Sequence, residues 1–337
     1  MKTIIKTITK RSGRLPLAVL NAGHPRLAGF MQHWLSFGSR NPVRRRVLHF
    51  IRCSERLFEL QRRAGSGADG GRDYPVILIN RDCDTRRLAV FQKRAQQFGV
   101  SFQRSPGVNA TAPGFDFTPY ESQIGETFYN QTRILKGGVG CFLGHLGAWR
   151  QVQAGGHELG LVCEDDAWFI GPPPLKIADL ELPPDADLIF ANERMAAGLL
   201  NEHSVAELKH HKFLKVAANA AFYALHKISS HITGPGGDGY FLTRRGVEKL
   251  LRIYSQTRIY VDVDWFLLFQ SLSDAEVALF KIQDATGRFD SMVLAPERLC
   301  SYVLVPSLVE QASMGSTRKT EDPAGYLERS VMFPNPR

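Results

Sequence analysis

The sequence predicts an α/β protein: an open, mostly parallel sheet flanked by helices. Three observations carry that expectation. Short apolar, β-branched runs such as "YPVILIN" (74–80) and "ELGLVCEDD" (158–166) recur along the chain, each the length of a buried strand. Between them lie stretches with apolar residues at helical spacing, opened by capping residues and closed by glycine. The two kinds alternate from residue 74 onward, as they do where a chain crosses back and forth over one sheet.

Residues 1–73 stand outside that pattern. They hold 15 Lys/Arg against 4 Asp/Glu, whereas the other 264 residues hold 27 against 29. The net charge of +9 therefore belongs to the first fifth of the chain. In "VRRRVLHFIRCSERLFELQRR", Val43, Val47, Phe50, Ile51, Leu57 and Phe58 fall near helical spacing, with arginines on the other positions. Such a helix either docks on the body with a solvated basic face or lies on an anionic membrane surface. "AGSGADGGRD" (64–73) reads as a flexible linker and sets the domain boundary.

The body then runs in order. After "YPVILIN", Asp84 or Thr85 caps a helix with Leu88, Phe91, Ala95 and Phe98 on one stripe, stopped by Gly99. "VSFQRSPGV" (100–108) is a second strand, leading into a Pro/Gly-rich loop. Residues 137–156 read as a glycine loop feeding a helix that ends at Gly155. "ELGLVCEDD" and "DADLIFANE" (185–193) are buried strands. "GPGGDGYFLTRRGVEKLLRIY" (234–254) runs from glycine loop to strand, to a Thr243 cap, to helix. "YVDVDWFLLFQSL" (260–272) places Asp262 and Asp264 just before an apolar helix. Residues 319–337 form a polar tail.

Composition narrows the function classes. With 44% hydrophobic and 22% charged residues the chain is globular, and no apolar run reaches the roughly 20 residues of a membrane span. Cys53, Cys83, Cys141, Cys163 and Cys300 are odd in number and scattered, against a disulfide framework or a zinc cluster and for a reducing compartment. The near-neutral body lacks the basic stripe of a nucleic-acid-binding core. No P-loop or acyl-phosphate nucleophile motif supports a phosphatase or nucleotidyltransferase. The grouping of His203, His210 and His211 lacks metal-ligand spacing and reads as surface.

The chemistry concentrates at Glu164, Asp165 and Asp166, which close a buried strand. Ligands of open α/β sheets bind beyond the carboxyl ends of the strands. Three adjacent acids repel, and burial raises the cost, unless something positive sits among them. A divalent cation carrying a diphosphate meets that need; a solvated surface turn is the plainer reading.

Further landmarks shift that choice toward the cation. "VILINRDCDTRR", "GGVGCFLGHLGAW", "LVCEDDAWF", "GYFLTRRGVEKLL", "YVDVDWFLL" and "VPSLVEQASMGSTR" resemble, in order, six segments of glycosyltransferase family 25, which includes lipooligosaccharide and collagen galactosyltransferases. They span about residues 75–318. Gly138 and Gly144 stand where the family usually has Glu and Ser, and Arg81 where it has Leu.

The resemblance implies a GT-A type nucleotide-sugar-binding fold over residues 74–318. It implies an inverting, metal-dependent transferase moving a hexose, galactose foremost, from a UDP-sugar to a glycan or glycolipid acceptor in lipopolysaccharide or lipooligosaccharide biosynthesis. Mn²⁺ or Mg²⁺ is held by Asp166 with Asp165. Asn80, Arg87, Glu164 and Asp165 contact the donor. Asp264, or second Asp262, is the general base. Arg87 read without the resemblance is an exposed helix arginine, Asp264 a helix N-cap, and His145 a buried histidine bonded to a backbone carbonyl. Gln311 and Ser313 are candidates to reach the site. The expected location is the cytoplasm, peripheral on the inner face of the membrane through residues 1–63, with no nucleic acid as partner. The alternative is a non-catalytic glycan-binding homologue on the same fold.

Overall fold

A computed structural model describes residues 71–125, 133–192, 195, 212–216, 235–283, 293–311 and 326–328. The basic segment of residues 1–63, most of the linker, His203, His210, His211 and Ser313 lie outside the described residues.

The chain opens with β1 (Val76–Asn80), α1 (Thr85–Gln97) and β2 (Gln103–Pro106). Then follow β3 (Arg133–Leu135), α2 (Lys136–Ala154), β4 (Leu159–Glu164), β5 (Ala167–Phe169) and β6 (Leu188–Phe190). Next come β7 (Phe213–Lys215), β8 (Gly239–Thr243), α3 (Arg244–Thr257), α4 (Val263–Phe269) and α5 (Asp274–Gln283). β9 (Ser301–Leu304), β10 (Val309–Gln311) and β11 (Tyr326–Glu328) complete the described elements.

Seven strands form one sheet in the order β2-β1-β4-β8-β6-β9-β7. Side chains alternate across it. Val76, Leu78, Leu161, Cys163 and Phe241 pack toward Phe91 and Ala95 of α1, while Ile77, Ile79, Val162, Tyr240 and Leu242 pack toward α2, α3 and α4. With both faces covered, nearly every residue of the central strands β1, β4, β6 and β8 is buried, hence their continuous apolar runs in the sequence.

The sheet is mixed where a mostly parallel one was expected. β1 runs parallel to β2 and β4, and β6 to β9, but β8 runs antiparallel to both its neighbours and β7 to β9. A strand buried on both faces carries the same apolar pattern in either direction, so "GYFLT" could not disclose its orientation.

The glycine stretch after Lys136 is helix, not loop. A side chain at Gly140 would bring its Cβ to 2.6 Å from the Val108 carbonyl oxygen, so glycine here lets α2 press on the loop after β2. The segment read as a polar tail is tied to the body where β11 pairs antiparallel with β3. Among the described residues no helix is long and apolar enough to cross a membrane.

Topology fixes where a ligand can sit. From β1 the chain crosses by α1 to β2 on one side, and β4 lies on the other side of β1. The order reverses between β1 and β4, and the crevice beyond their carboxyl ends is the switch point of an open sheet.

Candidate active site

That crevice is lined from both strands. Asn80 ends β1, and Glu164 ends β4, with Asp165 and Asp166 turning away before β5. Asp165 and Asp166 are buried, at 7% and 6% exposure. The positive group among them is Arg87 from the first turn of α1: its Nε lies 2.6 Å from Asp165 Oδ1 and its terminal nitrogen 2.8 Å from Asp166 Oδ2. Burial opposes the Arg87 charge, but the two aspartates outweigh it and hold the guanidinium above its ordinary value. Arg87 is therefore neither an exposed helix arginine nor a spare cation.

One guanidinium does not satisfy the group. Asp165 has both oxygens engaged, the second accepting from Asn80 Nδ2 at 2.8 Å. Burial raises its carboxyl, with Arg87 opposing. Asp166 Oδ2 also accepts from Gln311 Nε2 at 3.1 Å, but Asp166 Oδ1 is buried with no hydrogen-bond partner. Burial first, then the charges of Glu164 and Asp238, push Asp166 up to about 7 against the pull of Arg87. A buried carboxylate oxygen without a donor is costly, and a hard cation is the kind of partner it lacks. The donor set, carboxylate oxygens only, suits Mn²⁺ or Mg²⁺.

Asp238 was missed in the sequence. It is fully buried and precedes β8 in "GGDGYF". Because β8 runs antiparallel to β4, its first residues lie beside the last residues of β4, and Glu164 N–H donates to Asp238 O at 3.2 Å. A parallel β8 would have carried Asp238 to the opposite edge. The loop before it is held by Asn192 Nδ2 donating to Gly236 O at 2.8 Å, where Gly236 has φ +82°. The signal available was an acid flanked by glycines at a strand start, visible only once strand direction is known.

Gln311 arrives through the small sheet of β5 and β10, where it stands opposite Ala167 beside Asp166. His145, from α2, is fully buried, but its partners are side chains rather than a backbone carbonyl: Tyr240 Oη at 2.7 Å and Glu164 Oε1 at 3.0 Å. Asp262 is the N-cap residue of α4, without a side-chain capping bond, and Asp264 lies inside the first turn rather than before the helix. Asp264 Oδ1 accepts from the backbone N–H of Trp265 at 2.9 Å. α4 packs on α2 through Phe266 and Phe142, whose ring centroids are 4.9 Å apart, so both acids belong to the helical layer that carries His145. Asn80, Arg87, Glu164, Asp165, Asp166 and Gln311 are thus brought together by direct contacts or adjacency, while Asp262 and Asp264 are placed by helix packing.

Arg81, at the end of β1, donates from Nε to Asp84 Oδ2 at 2.6 Å and from a terminal nitrogen to Asn109 at 2.8 Å. It ties the turn after β1 to the loop after β2. Gly144 faces Ile79, where a Cβ would stand 3.0 Å from the Ile79 methyl. The missing side chain there is a packing adaptation of α2 against β1.

Comparison with known proteins bears on this geometry. No curated protein gives a significant match to the chain. The family model described as glycosyltransferase family 25 (LPS biosynthesis protein) matches residues 74–265, more than half of the chain. That span runs from β1 into α4 and contains Asn80, Arg87, the acidic triplet, Asp238, Asp262 and Asp264. With that share of the chain matched, the chain belongs to glycosyltransferase family 25.

Proposed function

We propose that this family 25 glycosyltransferase is an inverting, metal-dependent enzyme of GT-A type. It moves a hexose, galactose foremost, from a UDP-sugar to the growing saccharide of a lipid-anchored surface glycan. The observation that carries the reading is the buried, donorless Oδ1 of Asp166 at the sheet switch point. Asp166, with Asp165 beside it, would hold a divalent cation, Mn²⁺ or Mg²⁺, which would supply positive charge against the leaving diphosphate.

The chain's own residues divide the remaining work. Asp166 is the cation-holding carboxylate, with Asp165 as its neighbour and Asp238 as the second buried acid. Asp165 is braced by Asn80 and Arg87, which keeps the turn in one conformation before any ligand enters. Asn80, Arg87 and Glu164 meet the nucleotide sugar. Asp264 takes the proton of the acceptor hydroxyl as it attacks C1 from the face opposite the leaving diphosphate, with Asp262 the second candidate. The basic residues 1–63 attract the anionic inner face of the membrane, where a lipid-linked acceptor is presented.

A thermal-shift panel of nucleotide sugars, with and without Mn²⁺, tests the reading. A true donor raises the melting temperature only with the metal, because a ligand that binds only the native state stabilises it. The same panel on Asp166→Asn should be flat. A glycan-binding homologue without catalysis would instead respond to oligosaccharides alone, and equal responses in both proteins would remove the metal from the proposal.

A further inference from the structure

The side of the crevice away from Arg87 carries a second device. Trp149 Nε1 donates to Tyr240 Oη at 2.7 Å, Tyr240 Oη lies 2.7 Å from His145 Nδ1, and His145 Nε2 lies 3.0 Å from Glu164 Oε1. Trp149, Tyr240 and His145 are fully buried, whereas the Glu164 side chain is 23% exposed. The line of hydrogen bonds therefore starts in the dry core and surfaces at the residue next to Asp165.

The directions follow from what each group can give. Indole nitrogen only donates, so Tyr240 accepts from Trp149 and has one hydroxyl hydrogen left. Burial drives the Tyr240 phenol well above its ordinary value, so that hydrogen stays on. Its acceptor is His145 Nδ1, which places the imidazole proton on Nε2, facing the Glu164 carboxylate. Stacking of the Tyr240 and His145 rings, 5.7 Å apart at 16°, fixes the imidazole plane. Gly237 closes over the pair, and a Cβ there would stand 3.1 Å from Glu164 Oε1 and 3.2 Å from His145 Cε1.

We propose that His145 is a positioning residue, oriented by Tyr240 and Trp149, that pins Glu164 to receive a hydroxyl of the nucleotide sugar. The proposal rests on the glycosyl-transfer reading and adds to it. A carboxylate pinned before binding loses no rotamer freedom when the hydroxyl arrives, and a hydroxyl needs an acceptor of fixed position if C1 is to be aligned. The hydroxyl belongs either to the ribose or to the transferred sugar.

Cys141, His145 and Glu164 also bring a sulfur, a nitrogen and an oxygen within 4.8 Å of one another, the donor types of a zinc site. A metal on Nε2 would send the imidazole proton to Nδ1 and leave the buried Tyr240 hydroxyl hydrogen facing another donor. The fully satisfied line of donors and acceptors favours positioning over ligation.

Nitrogen-15 NMR of the histidine side chains in the full chain tests the tautomer without any turnover. His145 is expected as the neutral Nε2–H form, and Tyr240→Phe should lose that single form. An Nδ1–H form in the unaltered protein, or a thiolate-to-cobalt absorption band with Co²⁺ that Cys141→Ser removes, overturns the positioning role. Calorimetric binding with Mn²⁺ tests the rest. Tyr240→Phe, His145→Leu and Glu164→Gln should each weaken UDP-galactose about tenfold. His145→Gln, which retains a donor toward Glu164, should recover part of the loss. His145→Leu combined with Glu164→Gln should bind no worse than Glu164→Gln alone. If UDP is weakened equally, the hydroxyl is the ribose's; if UDP is unaffected, it is the sugar's. Unchanged binding in folded Tyr240→Phe and His145→Gln, or additive losses in the double variant, overturns the proposal. Should the unaltered protein bind no UDP-sugar, the donor reading falls, and the tautomer alone decides whether His145 orients Glu164.

Discussion

Asp187 and Asp166 are both buried carboxylates next to strand ends, and the chain treats them in opposite ways. Asp187, just before β6, has no exposed surface; it accepts from Arg245 Nε at 2.8 Å, Lys249 Nζ at 2.6 Å and the backbone N–H of Cys300 at 2.8 Å. Two cations and an amide serve one acid, and the result clamps α3 and the start of β9 to the sheet. Asp166 shares one arginine with Asp165, lies beside Glu164 and Asp238, and keeps an oxygen without a donor. Burial alone does not mark a functional acid. In the proposed reading, what sets Asp166 apart is burial with the satisfaction left incomplete in a crevice at the strand ends.

The largest effect that can break this contrast is on turnover. Asp166→Asn should lower UDP-sugar turnover with Mn²⁺ by about a thousandfold, roughly 4 kcal/mol at the transition state, while the melting temperature holds or rises because a buried charge is gone. Retained turnover would put Asp166 in the same class as Asp187. Conversely, Asp187→Asn should cost roughly 3 kcal/mol in urea unfolding by stripping Lys249 and Arg245 of their anion, with turnover per folded molecule unchanged. A drop in turnover with stability intact would reverse the assignment.

A pH scan sharpens the same comparison. Asp166 sits near 7 folded against an ordinary 3.8, so between those values the folded chain binds the proton that the unfolded chain has released. Stability of the chelator-treated protein should therefore fall as pH rises from about 4 to about 7, by up to about 1 kcal/mol per unit, and level off above. Asp166→Asn should flatten that slope, as followed by unfolding midpoints, and Thr243→Ala should not. The smallest effect belongs to the clamp. Thr243 caps α3 by accepting from Gly246 N–H at 3.0 Å, and Thr243→Ala should cost about 1 kcal/mol with no change in donor binding.

Parts of both regions were legible in the sequence. The Thr243 cap and α3 follow from neighbours a few residues apart; the structure has the cap at that residue and carries the helix three residues further, to Thr257. The acidic triplet at a strand end was legible because the apolar run and the acids are contiguous. Asp238 was not, since its place depends on β8 running antiparallel, and a strand buried on both faces reads alike in either direction. Nor was the start of α2, because a glycine-rich first turn looks like loop until the Val108 carbonyl pressing on Gly140 is seen. Arg87 reads in the sequence as a donor contact or a solvated arginine; that it bridges Asp165 and Asp166 is visible only in the fold.

Apolar period, capping residues and the run of three acids are local properties, and from them the strands β1, β4, β6 and β8, the helices α1 and α3, and the strand end that bears the acidic cluster could be deduced. Folding alone settled which groups answer those acids. Arg87 lies 78 positions from Asp165, Asn80 85 positions from it, and Gln311 145 positions from Asp166. Contacts over such separations are selected by sheet order and strand direction, which the packing of the whole core determines and no stretch of sequence carries.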